Sequence, residues 1–232
     1  MQFKFFVGID VSKATLDFSI VEAGVELKNF TIQNSPKAIK AAVKDMKTLK
    51  GFGIEFALFC VEQTGIYNNH LTTTLHSLDA KVWVEKAIQI KRSTGLHRGK
   101  SDKVDARRIA FYAFRNSDVA RIWKAPRSII QKLKRLTAVR DRLLKMVAQA
   151  SKPIKESKKF DSKEVFNAIK NICSASIKAI KADIKKTDKM ILETIKSDPS
   201  LKYLFDLITS VQGVGKVIAC EVIITQQMSS KI

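Results

Sequence analysis

Four carboxylates occupy positions from which oxygen-seeking chemistry can be built: Asp10, Glu62, Asp102 and Asp105. Asp10 closes the apolar run Phe5-Phe6-Val7-Gly8-Ile9, and Glu62 closes a second such run over residues 54–61. Each is therefore expected at the end of a strand. Asp102 and Asp105 stand three apart at a helix start, a spacing that puts both side chains on one helical face and turns them together toward the strand ends. Four gathered carboxylates repel one another unless a counter-ion joins them. Hard divalent cations, Mg²⁺ or Mn²⁺, fit such a donor set, and two ions about 3.5–4 Å apart are the usual arrangement for phosphodiester chemistry. Each acid taken singly also has a plain structural role. The helix dipole favours Asp102 in a first turn, and Asp105 can pair with Arg108 or Arg98. The metal reading rests on the four together.

The elements that must position these acids can be read in chain order. Residues 3–9 are almost wholly apolar, as in a strand covered on both faces. Thr15–Val21 alternates, Glu22-Ala23-Gly24 turns, and Val25–Ile32 completes a three-strand meander. Ser35-Pro36 starts a helix, with Ser35 as N-cap and Ile39, Val43 and Met46 on one stripe to about Lys50. A fourth strand follows over 54–62, a helix over 66–78, and a short fifth strand over 80–84. Residues 86–100 read as a basic stretch with flexible points, and the next helix runs from Ser101 or Asp102 to about Arg115. Three antiparallel strands followed by strand–helix alternation is the order of the ribonuclease-H-like α/β fold.

Beyond this lies a helical region. Arg121–Ala125 reads as extended and Pro126 opens a long helix, with Ile130, Leu133, Leu136, Val139, Leu143, Leu144 and Val147 three or four apart. Pro153 and the run Lys155–Lys159 are expected to break it. A second helix spans 162–197, with Ile172, Ile177, Ile180, Ile184, Ile191 and Ile195 near one face, so the two form an antiparallel hairpin or a dimer arm of coiled-coil type. A last helical pair, Leu201–Ser210 and Val214–Thr225, flanks Gly213-Val214-Gly215-Lys216. That segment reads either as a plain helix-to-helix turn or as a helix-hairpin-helix turn, whose glycines let backbone N–H groups approach a phosphate. A nucleotide-binding P-loop is excluded by the missing Gly-Lys-Ser/Thr ending. The resulting division is 1–120 for the α/β domain, 126–197 for the arm and 200–232 for the start of a further domain.

The charge identifies the partner class. With 42 Lys and Arg against 22 Asp and Glu, the 232-residue chain carries a formal charge of +20. An imbalance of this size calls for a polyanion, and nucleic acid is the foremost. The basic residues expected to meet it are Lys13, Lys91, Arg92, Arg98, Lys100, Lys103, Arg107 and Arg108 around the acids. Lys132, Arg135 and Lys216 extend the set into the helical region. From Arg121 to Lys159 there are thirteen Lys and Arg against Asp141 and Glu156, too biased for i,i+4 pairing. Cys60, Cys173 and Cys220 lie far apart and read as core or helix-face thiols of a reducing compartment. His70 and His76 are expected on helix surfaces, His97 near phosphate, and Tyr67, Trp83 and Trp123 in packing. No window reaches the roughly 18 apolar residues of a membrane span, so the expected location is cytoplasmic and nucleoid-associated.

Three segments carry a specific resemblance: Val7-Gly8-Ile9-Asp10-Val11-Ser12-Lys13, Glu62-Gln63-Thr64-Gly65-Ile66-Tyr67 and Lys100–Ala110 with its Ser-Asp-Lys-Val-Asp-Ala-Arg-Arg core. Together they resemble the DEDD-type transposases of bacterial insertion sequences, and the likeness extends over essentially the whole chain. The resemblance implies a RuvC-like N-terminal domain in which Asp10, Glu62, Asp102 and Asp105 form an Mg²⁺-binding (or Mn²⁺-binding) tetrad near the scissile phosphate. It also implies DNA and a structured guide RNA as partners, and a serine nucleophile in a C-terminal domain. The chain ends at Ile232, and neither Ser229 nor Ser230 has the expected context of that serine. The expectation is a recombinase that binds nucleic acid and metal but is incomplete in strand exchange. Three rival readings stand beside it. One is a RuvC-like nuclease that uses the acids with a metal-activated water. Another is an actin-like or sugar-kinase ATPase, which lacks here its Gly-rich adenosine loops. The third is a non-catalytic nucleic-acid-binding scaffold or inhibitor of the full-length transposase, assembling through residues 127–197. A homo-oligomer through the helical arm is expected.

Overall fold

The structure, a computed structural model, describes residues 3–94 and 102–229, except for the side chains of Thr94, Asp102, Lys103 and residues 227–229. The chain divides into two compact units, Met1–Ala125 and Pro126–Ile232.

In the first unit, β1 (Phe5–Val11) pairs antiparallel with β2 (Thr15–Glu22), and β2 pairs with β3 (Val25–Gln33). The hairpin between β2 and β3 turns on Ala23 and Gly24, both at positive φ, which matches the right-handed twist of the strands it joins. Ser35 accepts from Ala38 N–H and caps α1 (Pro36–Met46), which buries Ile39, Val43 and Met46 as their spacing requires. On its other edge β1 runs parallel to β4 (Ala57–Glu62), and β4 runs parallel to β5 (Lys81–Glu85). Helix α2 (Asn69–His76) crosses between these two strands. The sheet order β3-β2-β1-β4-β5 is that of a ribonuclease-H-like α/β fold.

Side-chain alternation divides the sheet between two cores. Phe5, Val7, Ile9, Phe59 and Val61 join α1 and α2 on one face. Phe6, Leu58, Cys60 and Trp83 pack on the other. A fully buried Phe, Leu or Ile contributes about 1.5–3 kcal/mol, so each face is a substantial source of stability.

Four local expectations change. Ile54–Phe56 forms a 3₁₀ turn before β4, and Gly65–Asn68 forms another before α2. Ala87–Thr94, read as part of a loose basic stretch, is helix α3, anchored by buried Ile90. Tyr67 is exposed, not packed. By contrast Trp83 is buried against Tyr112, and Trp123 lies edge-on to His76 while its backbone N–H donates to Val82. Helix α4 (Asp102–Arg115) completes the unit.

The second unit is helical: α5 (Ser128–Phe160), α6 (Lys163–Lys196), α7 (Pro199–Thr209) and α8 (Lys216–Ser229). Only Asp161 and Ser162 separate α5 from α6, and Ser162 caps α6 by accepting from Val165 N–H. The two pack as an antiparallel hairpin, tied by Arg140–Asp188 at 2.6 Å and by Arg127–Asp198. Its core gathers at the base, where Ile130 and Leu133 meet Ile191, Ile195, Leu201, Phe205, Cys220 and Ile223.

Pro153 does not break α5, and Lys155–Lys159 belongs to the helix, not to a connection. The ring removes one donor, the one that would reach the Gln149 carbonyl, at a cost of about 3 kcal/mol. The surrounding turns still pack on α6, so the helix continues to Phe160. Pro153→Ala is expected to restore that bond and stabilise the hairpin by about 1–3 kcal/mol, read as a later midpoint in a denaturant melt followed by helical circular dichroism. The apolar stripes are also corrected. Val139 and Leu144 on α5 and Ile172 on α6 are exposed; the inward line instead takes in Thr137 and Thr187, which the apolar spacing alone passes over.

Asp198 does more than end α6. Its carboxylate accepts from Ser200 and from Leu201 N–H and faces Arg127, which holds it below the usual carboxylate range, and Pro199 occupies the first turn of α7. A depressed folded-state pKa contributes stability that is present above the ordinary carboxylate pKa and is lost as pH falls through the folded value. The wild-type chain is therefore expected to melt above Asp198→Asn at neutral pH, and the gap is expected to close in acid.

Candidate functional site

The site is built where α4 crosses the sheet. A Cβ on Gly8 would lie 2.1 Å from Ala110 N, 2.3 Å from Ala106 O and 2.7 Å from Ala110 Cα, so the helix backbone rests directly on β1 and only glycine admits it. Phe6, two residues earlier, meets Phe114 at 5.3 Å between ring centroids. The helix thus runs opposite to β1. A strand advances about 3.3 Å per residue and a helix about 1.5 Å. Two residues on from Gly8 therefore correspond to roughly four residues back along α4. By this spacing Asp10 falls toward the first turn of the helix, the turn that carries Asp102 and Asp105.

The strand ends agree with this. Asp10 follows Gly8 by two and shares its face, and Glu62 follows Leu58 and Cys60, both of which pack on the α4 side. Ile9 pairs with Val61 in parallel register, which brings Asp10 and Glu62 to one edge and one face. Both are half-buried. Asp105 lies on the same side of α4 as buried Ile109, four residues on, but its carboxylate takes Arg108 at 3.0 Å. That is the ion pair the sequence allowed as its ordinary role. The pair is partly exposed, so it is worth about 1 kcal/mol or less and is readily exchanged. Asp102 begins α4, and its side chain lies outside the described residues. Among the described residues no three carboxylates, histidines or cysteines converge closely enough to hold an ion.

Two acids that the strand-end reasoning passed over belong to the same row. Glu85 ends β5 in register with Glu62, accepts Lys86 N–H at 2.7 Å and Tyr112 Oη at 3.4 Å, and its backbone carbonyl receives Gln63 N–H at 2.8 Å. It therefore ties the end of β4, where Glu62 sits, to α4. Asp17 on β2 is buried, pairs with Asp10 across the strands and accepts from Thr31 Oγ1. Glu85 was legible as a third run closing on an acid, Val82-Trp83-Val84-Glu85. Asp17 reads in sequence as one polar position of an alternating strand.

Burial makes the thiols of Cys60 and Cys220 poor nucleophiles. Burial, with the Glu85 charge added, pushes the Cys60 thiol far up, and burial with Glu221 raises Cys220 to about 11. Both remain protonated at neutral pH. Burial and Glu85 likewise raise Tyr112 to about 12, so its hydroxyl stays a donor.

Of the basic residues, Lys13, Lys91 and Arg92 are exposed in the first unit, and Lys132, Arg135 and Lys216 are exposed in the second. Arg107 is tied to Glu26 at 3.4 Å and lies over the Phe111 ring; Arg108 holds Asp105. Arg98, Lys100, His97 and Ser230 lie outside the described residues, as do the side chains of Lys103 and Ser229. Gly213 adopts positive φ, and nothing lies within 4 Å of a Cβ built on Gly215, so the turn before α8 is open. No described helix is long and apolar enough to cross a membrane.

Two structures of Thermus thermophilus RuvC, one described as a complex with a Holliday junction substrate, match 51% of this chain and 99% of theirs. They do so at 14% and 15% identity, with TM-scores of 0.39 and 0.34. No curated protein matches the chain. A family model described as Transposase, that of the IS110-type DEDD enzymes, matches residues 7–157, from β1 through α4 into the late turns of α5. With all four acids inside that match and α4 laid across the strands that carry two of them, the chain belongs to the IS110-type DEDD transposase family.

Proposed function

We propose that the first unit acts in DNA strand cleavage and exchange during transposition, with Asp10, Glu62, Asp102 and Asp105 holding Mg²⁺ or Mn²⁺ beside the scissile phosphodiester. The observation that carries this reading is the contact of Gly8 with Ala106 and Ala110, which seats α4 against β1 two residues before Asp10. The donor set fits such an ion: it is all carboxylate oxygen, Asp10, Glu62 and Asp105 are half-buried, and the chain that surrounds it carries a charge of +20. A bound divalent ion would polarise the phosphate and stabilise the charge that develops on its oxygens.

The chain's own residues supply the rest. Asp105 would hold the ion in place of Arg108, its present partner, which would leave that guanidinium free for a DNA phosphate. Glu85 and Tyr112 keep the ends of β4 and β5 in place against α4. Lys13, Lys91, Arg92, Arg98, Lys100 and Lys103 draw the nucleic-acid backbone to the acids by counter-ion release. A structured guide RNA is the second polyanion, recognised through its shape and backbone. The hairpin of α5 and α6 serves to assemble copies of the chain, with its exposed apolar residues Val139, Leu144 and Ile172 available for contact. Calorimetric titration with Mg²⁺ tests the reading at its centre. Binding that Asp10→Asn weakens supports it, and binding indifferent to that change overturns it.

A further inference from the structure

The outer half of the α5–α6 hairpin holds a feature that the acid site does not use. A groove of about 680 Å³ opens between the two helices and is lined by Lys155 of α5 and by Lys170, Lys178, Lys181 and Lys185 of α6. All five are exposed. No salt bridge among the described residues uses any of them, and no carboxylate lines the groove. Five like charges drawn together without an acid are unfavourable for the isolated chain, so the arrangement calls for an anionic occupant. Ser151 and Ser174 also line it, and their hydroxyls already serve the Val147 and Lys170 carbonyls within their own helices. Recognition therefore falls to the lysines.

We propose that this groove is a docking surface for the phosphate backbone of duplex DNA, bound without regard to sequence. Two features of the groove favour the duplex over single strands, and a third favours indifference to sequence. The α6 lysines fall at spacings of eight, three and four residues, which keeps them along one side of a straight helix for about 22 Å at 1.5 Å per residue. A duplex is stiff over that length, with a persistence length of about 50 nm, so a straight row of charge can follow one edge of its backbone. The groove lacks the aromatic platforms on which single strands stack. Its ammonium groups also carry none of the planar bidentate geometry with which arginine reads guanine. The surface lies apart in sequence from the basic residues around the acids, and the proposal deepens the transposase reading by assigning the hairpin a DNA contact.

The test is the salt dependence of binding of the whole chain to a fluorescent duplex of arbitrary sequence, measured in EDTA so that metal binding at the acids plays no part. Lys178→Gln, Lys181→Gln and Lys185→Gln are combined in one variant. The control variant carries Lys37→Gln, Lys40→Gln and Lys44→Gln on the exposed face of α1, which removes the same net charge. Each phosphate contact adds about 0.9 to the slope of log affinity against log salt for duplex DNA. The groove variant is expected to lose about 2–3 from the slope, and the control much less. Helical circular dichroism establishes that both variants are folded. Equal losses in the two variants would overturn the proposal by reducing the effect to net charge. A larger loss on a single-stranded RNA or DNA than on the duplex would overturn the assigned occupant. Failure of the acid-site reading would appear in the Mg²⁺ titration and leave this measurement unchanged.

Discussion

Gly8→Ala is expected to destabilise the first unit by about 3 kcal/mol or more, beyond the usual cost of overpacking a core by one methyl group. The reason is the identity of the atoms the new Cβ would meet. They are Ala110 N, Ala106 O and Ala110 Cα, at 2.1, 2.3 and 2.7 Å, and backbone cannot rotate aside as a side chain can. Helix α4 must lift from β1 by on the order of 1 Å to reach ordinary contact distance, which loosens the packing of Ile109, Ala110 and Ala113 against Phe6 and Val21. Removing the Ala110 methyl as well should not rescue the fold, because the clash is with the main chain. A denaturant melt followed by the fluorescence of buried Trp83 reads the loss. A midpoint equal to the wild type would show that α4 is not seated on Gly8. If the variant retains a folded fraction, its Mg²⁺ affinity should also fall, since the turn carrying Asp102 and Asp105 moves with the helix.

Asp10→Asn is expected to produce the largest functional loss with the smallest structural one. The substitution keeps shape and removes charge at a half-buried strand residue, so the fold and the salt-sensitive binding of nucleic acid should remain close to wild type. Loss of a residue that only orients a metal ligand costs about 10–100-fold in affinity, and loss of a ligand carboxylate should cost at least the upper end of that range. Calorimetry with Mg²⁺ measures it directly. Unchanged affinity would remove Asp10 from the metal site and leave the buried neighbour Asp17, with its Thr31 partner, as the acid of β1 and β2 still to be explained.

The two experiments separate position from chemistry, and the same separation governs what could be read without a fold. Strand ends and helix faces are properties of short segments, so Asp10, Glu62 and the Asp102/Asp105 pair were legible as candidates from alternation and i,i+3 spacing alone. Helix α3 was missed because only eight residues carry its pattern and basic residues interrupt it; the burial of Ile90 against the sheet decides it. Pro153 was misread for the converse reason. Local propensity opposes a helix there, and the packing of α5 on α6 outweighs it.

What the sequence by itself determined is the strand order, the capped start of α1, the basic charge that names a polyanion, and the motifs that mark the family. These depend on period, propensity and composition, which act over a few residues or over the whole chain. The tertiary structure decided which acids share an edge and which lysines share a groove. It brought Glu85 into the row of Asp10 and Glu62 through the registers of β1, β4 and β5, and it bound Asp105 to Arg108. It also showed that Gly8, an apparently ordinary strand glycine, is the place where helix α4 meets the sheet. Such relations join residues far apart in the chain, and close packing of backbone on backbone fixes them at distances that no local pattern encodes.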